Sequence, residues 1–229
     1  MSRAQNRIEQ TRAIQATGRR HLAEVGPAAL SLRAIAREVG LVSSAVYRYF
    51  PSRDDLLTAL IVEAYDELGA AVEAAESAVR DREDLAGRFL AVAGAIRDWA
   101  RSNPHEYALL YGSPVPGYAA PDTTVPSAAR VTAAFLAIAQ ASERRGDPLA
   151  ATLPVGEQES AALQGVRDAL ETTVDDARLV RWLMAWSTVF GHLSLELFGH
   201  MHRGVLDYDA HFAQAMGQLA ADLGIAPRT

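Results

Sequence analysis

The chain has 229 residues, of which 49% are hydrophobic and 22% are charged, and its formal net charge is −6. It contains no cysteine, which excludes disulfides, thiolate metal sites and thiolate nucleophiles. All 22 side-chain cations are arginine, and the absence of lysine excludes P-loop and Schiff-base chemistry, both of which need an amine. Alanine and leucine are abundant and strand-type alternation is scarce, so the composition predicts an all-α fold.

The charge is unevenly distributed along the chain. Residues 1–60 hold nine arginines and five acids, whereas the remaining residues hold 13 arginines and 23 acids. The charge of the whole chain, −6, argues against nucleic-acid binding. A basic N-terminal segment joined to an acidic body, however, is the distribution that local attraction to phosphate requires.

The sequence indicates no targeting or membrane-spanning segment. The N-terminus lacks the apolar core of roughly 7–15 residues that a signal peptide carries. The most apolar run, residues 182–198, is short and is interrupted by His192 and Glu196, so it does not fit a membrane span. We therefore expect a soluble, cytoplasmic protein with no membrane partner.

A first helix is predicted to end at Gly26, which Pro27 follows. Residues 1–6 are expected to be disordered, and Arg3 and Arg7 are either an arm that reaches a nucleic-acid backbone or part of a solvated tail. The inner face of the helix is marked by four apolar or small residues at helical spacing, namely Ile14, Gly18, Leu22 and Val25.

Two short helices and a tight turn are predicted between residues 31 and 50. Ser31 is a natural N-cap for the first of them, and Gly40 ends it, as expected where the chain becomes left-handed. The second helix is predicted from Ser43 to Phe50, where Pro51 breaks it. The apolar residues expected to face inward are Leu32, Ile35, Ala36, Val39, Val42, Val46 and Phe50.

The outer face of the second short helix carries hydroxyls, a phenol and a guanidinium, and no acid. These groups suit the major groove of DNA, where arginine can bind a guanine edge with two hydrogen bonds. Ser52 is expected to cap the following helix with Asp55 as its reciprocal partner. Arg53 lies in the first turn of that helix, where the dipole disfavours a cation, and a phosphate contact would explain it. The outer face comprises Ser43, Ser44, Tyr47 and Arg48.

This segment resembles the DNA-binding domain of TetR-family transcriptional regulators, whose pattern is roughly T-x-R-x-I-A-x-x-A-G-V-S-x-G-x-L-Y-x-H-F-x-x-K. The chain departs from it at Val42, where a capping serine is usual, so that the cap is expected to pass to Ser43, and at Ser44, where glycine or alanine is common. The matching residues are Ser31, Arg33, Ile35, Ala36, Gly40, Val46, Tyr47, Tyr49, Phe50 and Arg53.

The resemblance implies a role in DNA binding for eight residues. Three of them would approach bases, namely Ser44, Tyr47 and Arg48. Five would hold phosphates, namely Ser31, Arg33, Ser43, Tyr49 and Arg53. The structural alternative is that residues 31–50 are simply two packed helices of an α-domain.

The remainder of the chain is predicted to be helical, which gives about nine or ten helices in all. We expect a three-helix DNA-binding domain over residues 1–52 and a larger effector-binding and dimerisation domain over residues 53–229. The loop 113–126 holds four prolines and is either the mouth of a pocket or a rigid connector. The helices are expected at 52–79, 84–102, 104–112, 127–145, 157–170, 175–202 and 207–223.

The segment 175–202 is apolar on nearly all sides, so we expect it to be buried on several sides, most economically against a second subunit. The stretch 186–200 resembles the WHG type of TetR C-terminal domain, which implies dimerisation and binding of an effector of unknown identity. The upstream residues that share the resemblance are Tyr107, Gly112, Pro114, Pro116, Gly117 and Tyr118.

Two further sets of residues leave alternatives open. His192, Glu196 and His200 are spaced to stack on one helix face, as a metal site or as a polar seam at the dimer interface; we expect no metal and no other cofactor. Some aromatic residues of the body should line the effector pocket, although each is an equally good core residue. Those predicted to do so are Tyr107, Tyr111, Phe135 and Trp186.

The sequence thus predicts a TetR-like regulator, not an enzyme, that acts as a ligand-responsive homodimeric repressor on a pseudo-palindromic double-stranded operator. Neither a nucleophile elbow nor a paired-carboxylate arrangement is present in the sequence. The alternative function is an all-α protein–protein or metal-binding module that keeps a degenerate DNA-binding head.

Overall fold

The structure, a computed structural model, describes residues 2–149 and 153–226. This part of the chain contains helices, turns and loops but no strand, which confirms the prediction of an all-α fold. Short 3₁₀ turns occupy Pro27–Ala29 and Asp122–Thr124. The α-helices are α1 (Arg3–Val25), α2 (Leu32–Glu38), α3 (Ser43–Val46), α4 (Arg53–Ala78), α5 (Leu85–Ser102), α6 (Pro104–Tyr111), α7 (Val125–Arg145), α8 (Glu157–Leu170), α9 (Asp176–Leu197) and α10 (Tyr208–Asp222).

The chain divides into two compact units that are not continuous in sequence. The first contains the residues up to Glu67 together with Asn103–Ser127, and the second contains Leu68–Ser102 and the residues from Ala128 onward. The first unit therefore includes more than the three N-terminal helices: it takes the first part of α4, all of α6 and the proline-rich loop.

The core of the first unit is built by helices α1 to α4. Ile14, Ile35 and Val46 are fully buried, one from each of the first three helices, and they pack with residues from the start of α4. Val25, predicted on the inner face of α1, is instead 54% exposed because it lies at the last residue of the helix. The buried cluster comprises Ile14, Leu30, Leu32, Ile35, Ala36, Val46, Phe50, Leu56, Leu57, Leu60, Ile61 and Val115.

The proline-rich loop is part of the first unit's packing. Val115 is buried in the same core cluster as residues of helices α1 to α4. Three residues later the Tyr118 hydroxyl lies 2.9 Å from the hydroxyl of Thr58 on α4. Tyr111, at the end of α6, meets Tyr65 of α4 edge to face, with ring centroids 6.1 Å apart. The loop is therefore a packed segment of the first unit, and its predicted role as the mouth of a pocket stays a prediction.

An aromatic cluster forms the centre of the second unit. Phe89 of α5, Phe135 of α7 and Trp182 of α9 meet pairwise at steep angles, with centroids 6.0, 6.0 and 6.4 Å apart. All three side chains are almost fully buried. Edge-to-face pairs of this kind contribute beyond the area that they bury, so they fix the packing of these three helices.

A buried ion pair joins α5 to α9 in the same unit. The Arg97 guanidinium donates to both carboxylate oxygens of Glu196, at 2.7–3.1 Å, and both side chains are 8% exposed. Arg97 also contacts Asp209 of α10 at 2.8 Å and lies 4.8 Å above the Phe212 ring. One guanidinium therefore links three helices.

Helix α9 is shorter than predicted. It begins after Asp175, whose carboxylate caps the Arg178 amide at 2.9 Å, and it ends at Leu197. Gly199 and Arg203, with φ of 79° and 66°, lie in the turns that follow, so the predicted continuation to residue 202 is wrong.

Within the single chain α9 is buried on one side, and its predicted burial against a second subunit stays a prediction. One of its faces packs into the core through Leu179, Trp182, Val189 and Leu193. The other leaves a stripe of small and apolar residues exposed, which we call the open face of α9: Met184, Ser187, Thr188, Gly191 and Leu195.

Candidate DNA-binding surface

Local hydrogen bonds fix the ends of α2. The Ser31 hydroxyl accepts a bond from the Ala34 amide at 3.4 Å, which confirms Ser31 as the N-cap. At the other end Gly40 has a φ of 73°, and the Leu41 amide donates to the Ala36 carbonyl at 2.8 Å. A left-handed residue closed by such a bond ends a helix sharply, as the sequence predicted.

Helix α3 is a single turn and is shorter than predicted. It spans Ser43–Val46, after which the amides of Arg48 and Tyr49 donate to carbonyls three residues back, at 3.2 and 2.9 Å. Bonds of this kind tighten the chain into a 3₁₀-like turn. The prediction of a helix up to Phe50 is therefore wrong, although Phe50 is buried as expected.

The start of α3 differs from the prediction as well. Val42 is its N-cap, and no side chain bonds to its first turn, so Ser43 does not take over the cap. Val42 is also 72% exposed instead of facing the first short helix. Its backbone is extended and outside the helix, so the helical wheel does not describe where its side chain points.

The outward surface of this region is polar and basic. Its side chains are exposed, and among the described residues Arg33 and Arg48 have no ion pair that would neutralise them. Tyr47 is among the exposed large side chains, at 41% exposure. We call this set the recognition surface: Ser31, Arg33, Ser43, Ser44, Tyr47 and Arg48.

The one acid of α2 is already neutralised by two groups of α1. Glu38 accepts a hydrogen bond from Arg20 and lies 2.7 Å from His21 Nε2. The His21 contact and then the Arg20 contact hold the pKa of the Glu38 carboxyl below its usual range. This acid therefore stays ionised with its charge balanced, and it also ties α1 to α2.

Arg7 lies beside the recognition surface and not on a disordered arm. Helix α1 begins at Arg3, capped by Ser2, so the expectation of disorder at residues 3–6 is wrong. The Arg7 guanidinium donates to the Arg48 carbonyl at 3.3 Å and stands 5.7 Å from the centre of the Tyr49 ring. The half-buried Tyr49 is therefore in contact with α1, which the sequence did not indicate.

Arg53 has a structural partner that explains its place at the positive end of α4. Its guanidinium donates to the Pro27 carbonyl at 2.7 Å and contacts the neighbouring Asp54 at 3.3 Å. The predicted cap is present beside it, because the Ser52 hydroxyl accepts from the Asp55 amide at 3.1 Å. The phosphate contact predicted for Arg53 stays a prediction, and it is no longer needed to account for the residue.

Replacing Arg53 by alanine is expected to destabilise the first unit by about 1.5–3 kcal/mol, the usual contribution of a hydrogen bond to a charged group. Hydrogen exchange of the α2 amides would measure the change. Arg33→Ala is the control, because Arg33 is exposed and its loss should leave exchange unaltered. Equal protection in both variants would show that the Pro27 bond contributes nothing.

The four aromatic residues predicted to line an effector pocket fall in two different places. In the first unit, Tyr107 is fully buried and its ring lies 5.3 Å from that of Tyr111. Burial, with the nearby Tyr65 and Tyr107, raises the pKa of the Tyr111 hydroxyl.

In the second unit, Phe135 belongs to the aromatic core described above, and Trp186 is half-buried with its ring 5.2 Å from that of Phe190. Their role in ligand binding stays a prediction.

The three groups considered as metal ligands do not assemble. Glu196 is bound by Arg97, and His200 lies beyond the end of α9. His192 stacks on His211 of α10, with ring centroids 5.2 Å apart, and burial together with His211 lowers the His192 pKa. Within the described ranges no cluster of three such residues is placed to hold a metal ion.

Comparison with known proteins supports a regulatory function for both parts of the chain. Residues 14–60 match the model of the bacterial regulatory proteins of the tetR family. Residues 89–219 match the model of the tetracyclin repressor-like C-terminal domain. The HTH-type transcriptional regulators Mb1846 of Mycobacterium bovis and Rv1816 of Mycobacterium tuberculosis are each 44% identical over 184 residues, covering 80% of this chain and 78% of theirs.

The chain belongs to the TetR family of transcriptional regulators. The family was predicted from residues 31–53 and from the C-terminal stretch 186–200 with residues upstream of it, and the matches to both domains confirm it. Its matched relatives are HTH-type transcriptional regulators and not enzymes, in agreement with the prediction.

Solved structures share the fold over nearly the full length of the chain. The crystal structure of regulatory protein SCO4313 is 31% identical, with a TM-score of 0.79, and the match covers 96% of this chain and 100% of that one. A tetR-family regulatory protein from Rhodococcus RHA1 shares the fold at 19% identity, with a TM-score of 0.62 over 99% of this chain and 100% of that one. Among the described helices of the TetR-family chain, none is long and apolar enough to cross a membrane.

Proposed function

We propose that this TetR-family regulator is a homodimeric, ligand-responsive repressor that binds a pseudo-palindromic operator through its recognition surface. The observation that carries the proposal is that surface itself, where exposed guanidinium, phenol and hydroxyl groups lie together on α2, α3 and the following turn. A bacterial regulator of transcription works where the DNA lies, so we place this one in the cytoplasm.

Within this surface, we assign base contacts and phosphate contacts from the exposure and the chemistry of each side chain. Arg48, exposed and unpaired by any described acid, is the group best able to bind a guanine edge. Tyr47 and Ser44 flank it toward the bases. Ser31, Arg33 and Ser43 are proposed to hold phosphates, and such contacts set the register of the protein on DNA.

The open face of α9 supports dimerisation. A stripe of small and apolar side chains costs solvation free energy while it remains exposed, and small residues let a second helix approach closely. Helix α10 packs against α9 and also presents small exposed residues, namely Ala210, Ala213, Gly217 and Ala221. We propose that the two helices of one protomer pack against the same two of a second.

In a dimer each protomer contributes one recognition surface, so the DNA meets two of them. A two-fold axis relates the copies, so an operator with inverted half-sites matches the symmetry of the protein. An effector would release the DNA if it binds more tightly to the conformation in which the two recognition surfaces are wrongly spaced for the operator. An effector with equal affinity for both conformations would not shift the equilibrium between them. We propose that the effector site is an apolar one.

Placing a charge on the open face of α9 is expected to separate the protomers. Thr188→Arg would bury an unpaired guanidinium in the proposed interface, which raises the dimer dissociation constant by about 100-fold or more. Sedimentation equilibrium measures this directly. Ala137→Arg adds the same charge at an exposed position of α7 and should leave the association unchanged. If the Thr188→Arg protein stays dimeric, α9 is not part of the dimer interface.

The proposed DNA binding is tested by competition. A duplex that the protein recovers from a random pool is labelled, and its binding is followed by fluorescence anisotropy as unlabelled nonspecific DNA is added. Operator binding survives a large excess of that competitor, whereas simple charge attraction is lost and falls steeply with salt. Loss of binding at equal competitor concentration would contradict the proposed function.

A further inference from the structure

We propose that the cleft between α1 and the turn after α3 binds a backbone phosphate of DNA, with Arg7 as its principal ligand. The inference rests on the proposed function and adds a site to it, because Arg7 is on neither of the two short helices that form the recognition surface. The cleft is a hollow of about 430 Å³ lined by Asn6, Arg7, Arg48 and Tyr49.

The lining of this cleft has the chemistry of an anion site. It offers the amide of Asn6, two guanidinium groups and the phenol of Tyr49, and none of the four lining residues is an acid. Neither Arg7 nor Arg48 has an ion pair with any residue that the structure describes. The two positive charges attract a phosphate into the hollow, and Arg7 is the group proposed to bind it there.

Arg7 is held in place before any ligand arrives. Its guanidinium lies 5.7 Å from the Tyr49 ring centre, and one amino group donates to the Arg48 carbonyl at 3.3 Å. The bond to the carbonyl uses one N–H of Nη2, which leaves the opposite edge of the guanidinium, with two parallel N–H groups, for a phosphate. Because the side chain is already ordered, less conformational entropy is lost on binding.

The same contacts connect the cleft to the recognition surface. The carbonyl that Arg7 binds belongs to Arg48, in the turn where regular helical bonding has already ended. A phosphate held by Arg7 therefore lies next to the group proposed to reach the bases, so the site would fix the depth at which that turn enters the groove. Phosphate contacts next to base contacts set register in this way.

The salt dependence of binding distinguishes a phosphate ligand from a general loss of charge. The dissociation constant for the recovered duplex is measured against sodium chloride for wild type, Arg7→Ala and Arg12→Ala. Arg12 is exposed on the same helix, so its removal changes the net charge equally. We expect Arg7→Ala to weaken binding about tenfold for every sequence and to lower the salt slope by about 0.9 for each head. Arg12→Ala should do neither.

The role of Tyr49 is tested by repeating Arg7→Ala in two backgrounds. Tyr49→Phe keeps the ring that orients the guanidinium, so Arg7→Ala should still cost about tenfold there. Tyr49→Leu removes the ring, and the cost should fall to about twofold because Arg7 is then no longer held. Equal costs in the two backgrounds would overturn the proposed orientation by Tyr49.

Two outcomes separate this inference from the proposed function. Suppose that wild type binds its recovered duplex, but Arg7→Ala keeps the wild-type salt slope or Arg12→Ala loses as much affinity as Arg7→Ala. The proposed phosphate site is then wrong, and the proposed regulatory function is unaffected. If wild type itself recovers no preferred duplex, the proposed function fails first. Helical circular dichroism of each variant confirms that the comparison is made between folded proteins.

Discussion

Replacing Arg97 by alanine is expected to lower the free energy of unfolding of the second unit by about 3–5 kcal/mol. Arg97 and Glu196 are both almost buried, and removing one partner leaves the other charge without compensation in a poorly solvated place. The same change removes the contact with Asp209 and the packing over the Phe212 ring. No other ion pair described in this unit joins three helices through one side chain.

Urea unfolding followed by tryptophan fluorescence suits this measurement, because all three tryptophans lie in the second unit. Arg101→Ala is the matched control: Arg101 is 51% exposed, and its ion pair among the described residues is with the exposed Asp209, so its removal should cost less than about 1 kcal/mol. The double variant Arg97→Met with Glu196→Leu should recover most of the loss. Equal losses in Arg97→Ala and Arg101→Ala would show that the buried pair is not what joins these helices.

Replacing Arg48 by alanine is expected to cost about 1–3 kcal/mol of binding free energy, and only on DNA that carries the preferred base. Arg48 is exposed on the recognition surface and makes no ion pair with a described residue, so it is free to bind a guanine edge. Loss of a base contact lowers affinity for the operator more than affinity for other sequences.

Arg33→Ala provides the comparison for this prediction. Arg33 is an exposed cation on the preceding helix and is proposed to contact phosphate, so its loss should weaken binding to all duplexes alike. Anisotropy titrations with the operator and with single-base variants of it give both quantities. If Arg48→Ala weakens every duplex by the same factor, the assignment of Arg48 to base recognition is wrong.

In the first unit, the features that the sequence predicted correctly are those that depend on neighbouring residues. The Ser31 cap, the left-handed Gly40 and the Ser52–Asp55 cap all depend on contacts within about five residues, and all are present. The family pattern could be recognised for the same reason, since it is a pattern of such local signals.

The features that the sequence missed depend on distant partners or on the end of a helix. The carbonyl that binds Arg53 lies 26 residues earlier in the chain, and Arg97 binds a carboxylate 99 residues away. Neither distance leaves a local pattern. The early end of α9 did leave a local signal, because Gly199 follows its last turn, but the prediction extended the helix past that glycine.

The cleft at Arg7 depends both on where a helix begins and on partners that are distant in the sequence. The sequence predicts a basic N-terminal segment but places Arg7 on an arm or a solvated tail, whereas Arg7 lies on α1. Its neighbours Arg48 and Tyr49 are 41 and 42 positions later, so their association depends on how α1 packs and not on spacing.

The central claim, that paired copies of this surface read an operator, is tested most directly by sequencing the duplexes that the protein retains from a random pool. We predict two inverted copies of one short half-site, with centres about 10–10.5 base pairs or a multiple of that apart. Thr188→Arg, which separates the protomers, should lose the paired arrangement. Retained duplexes with no shared sequence, or with a single unpaired half-site, would contradict it.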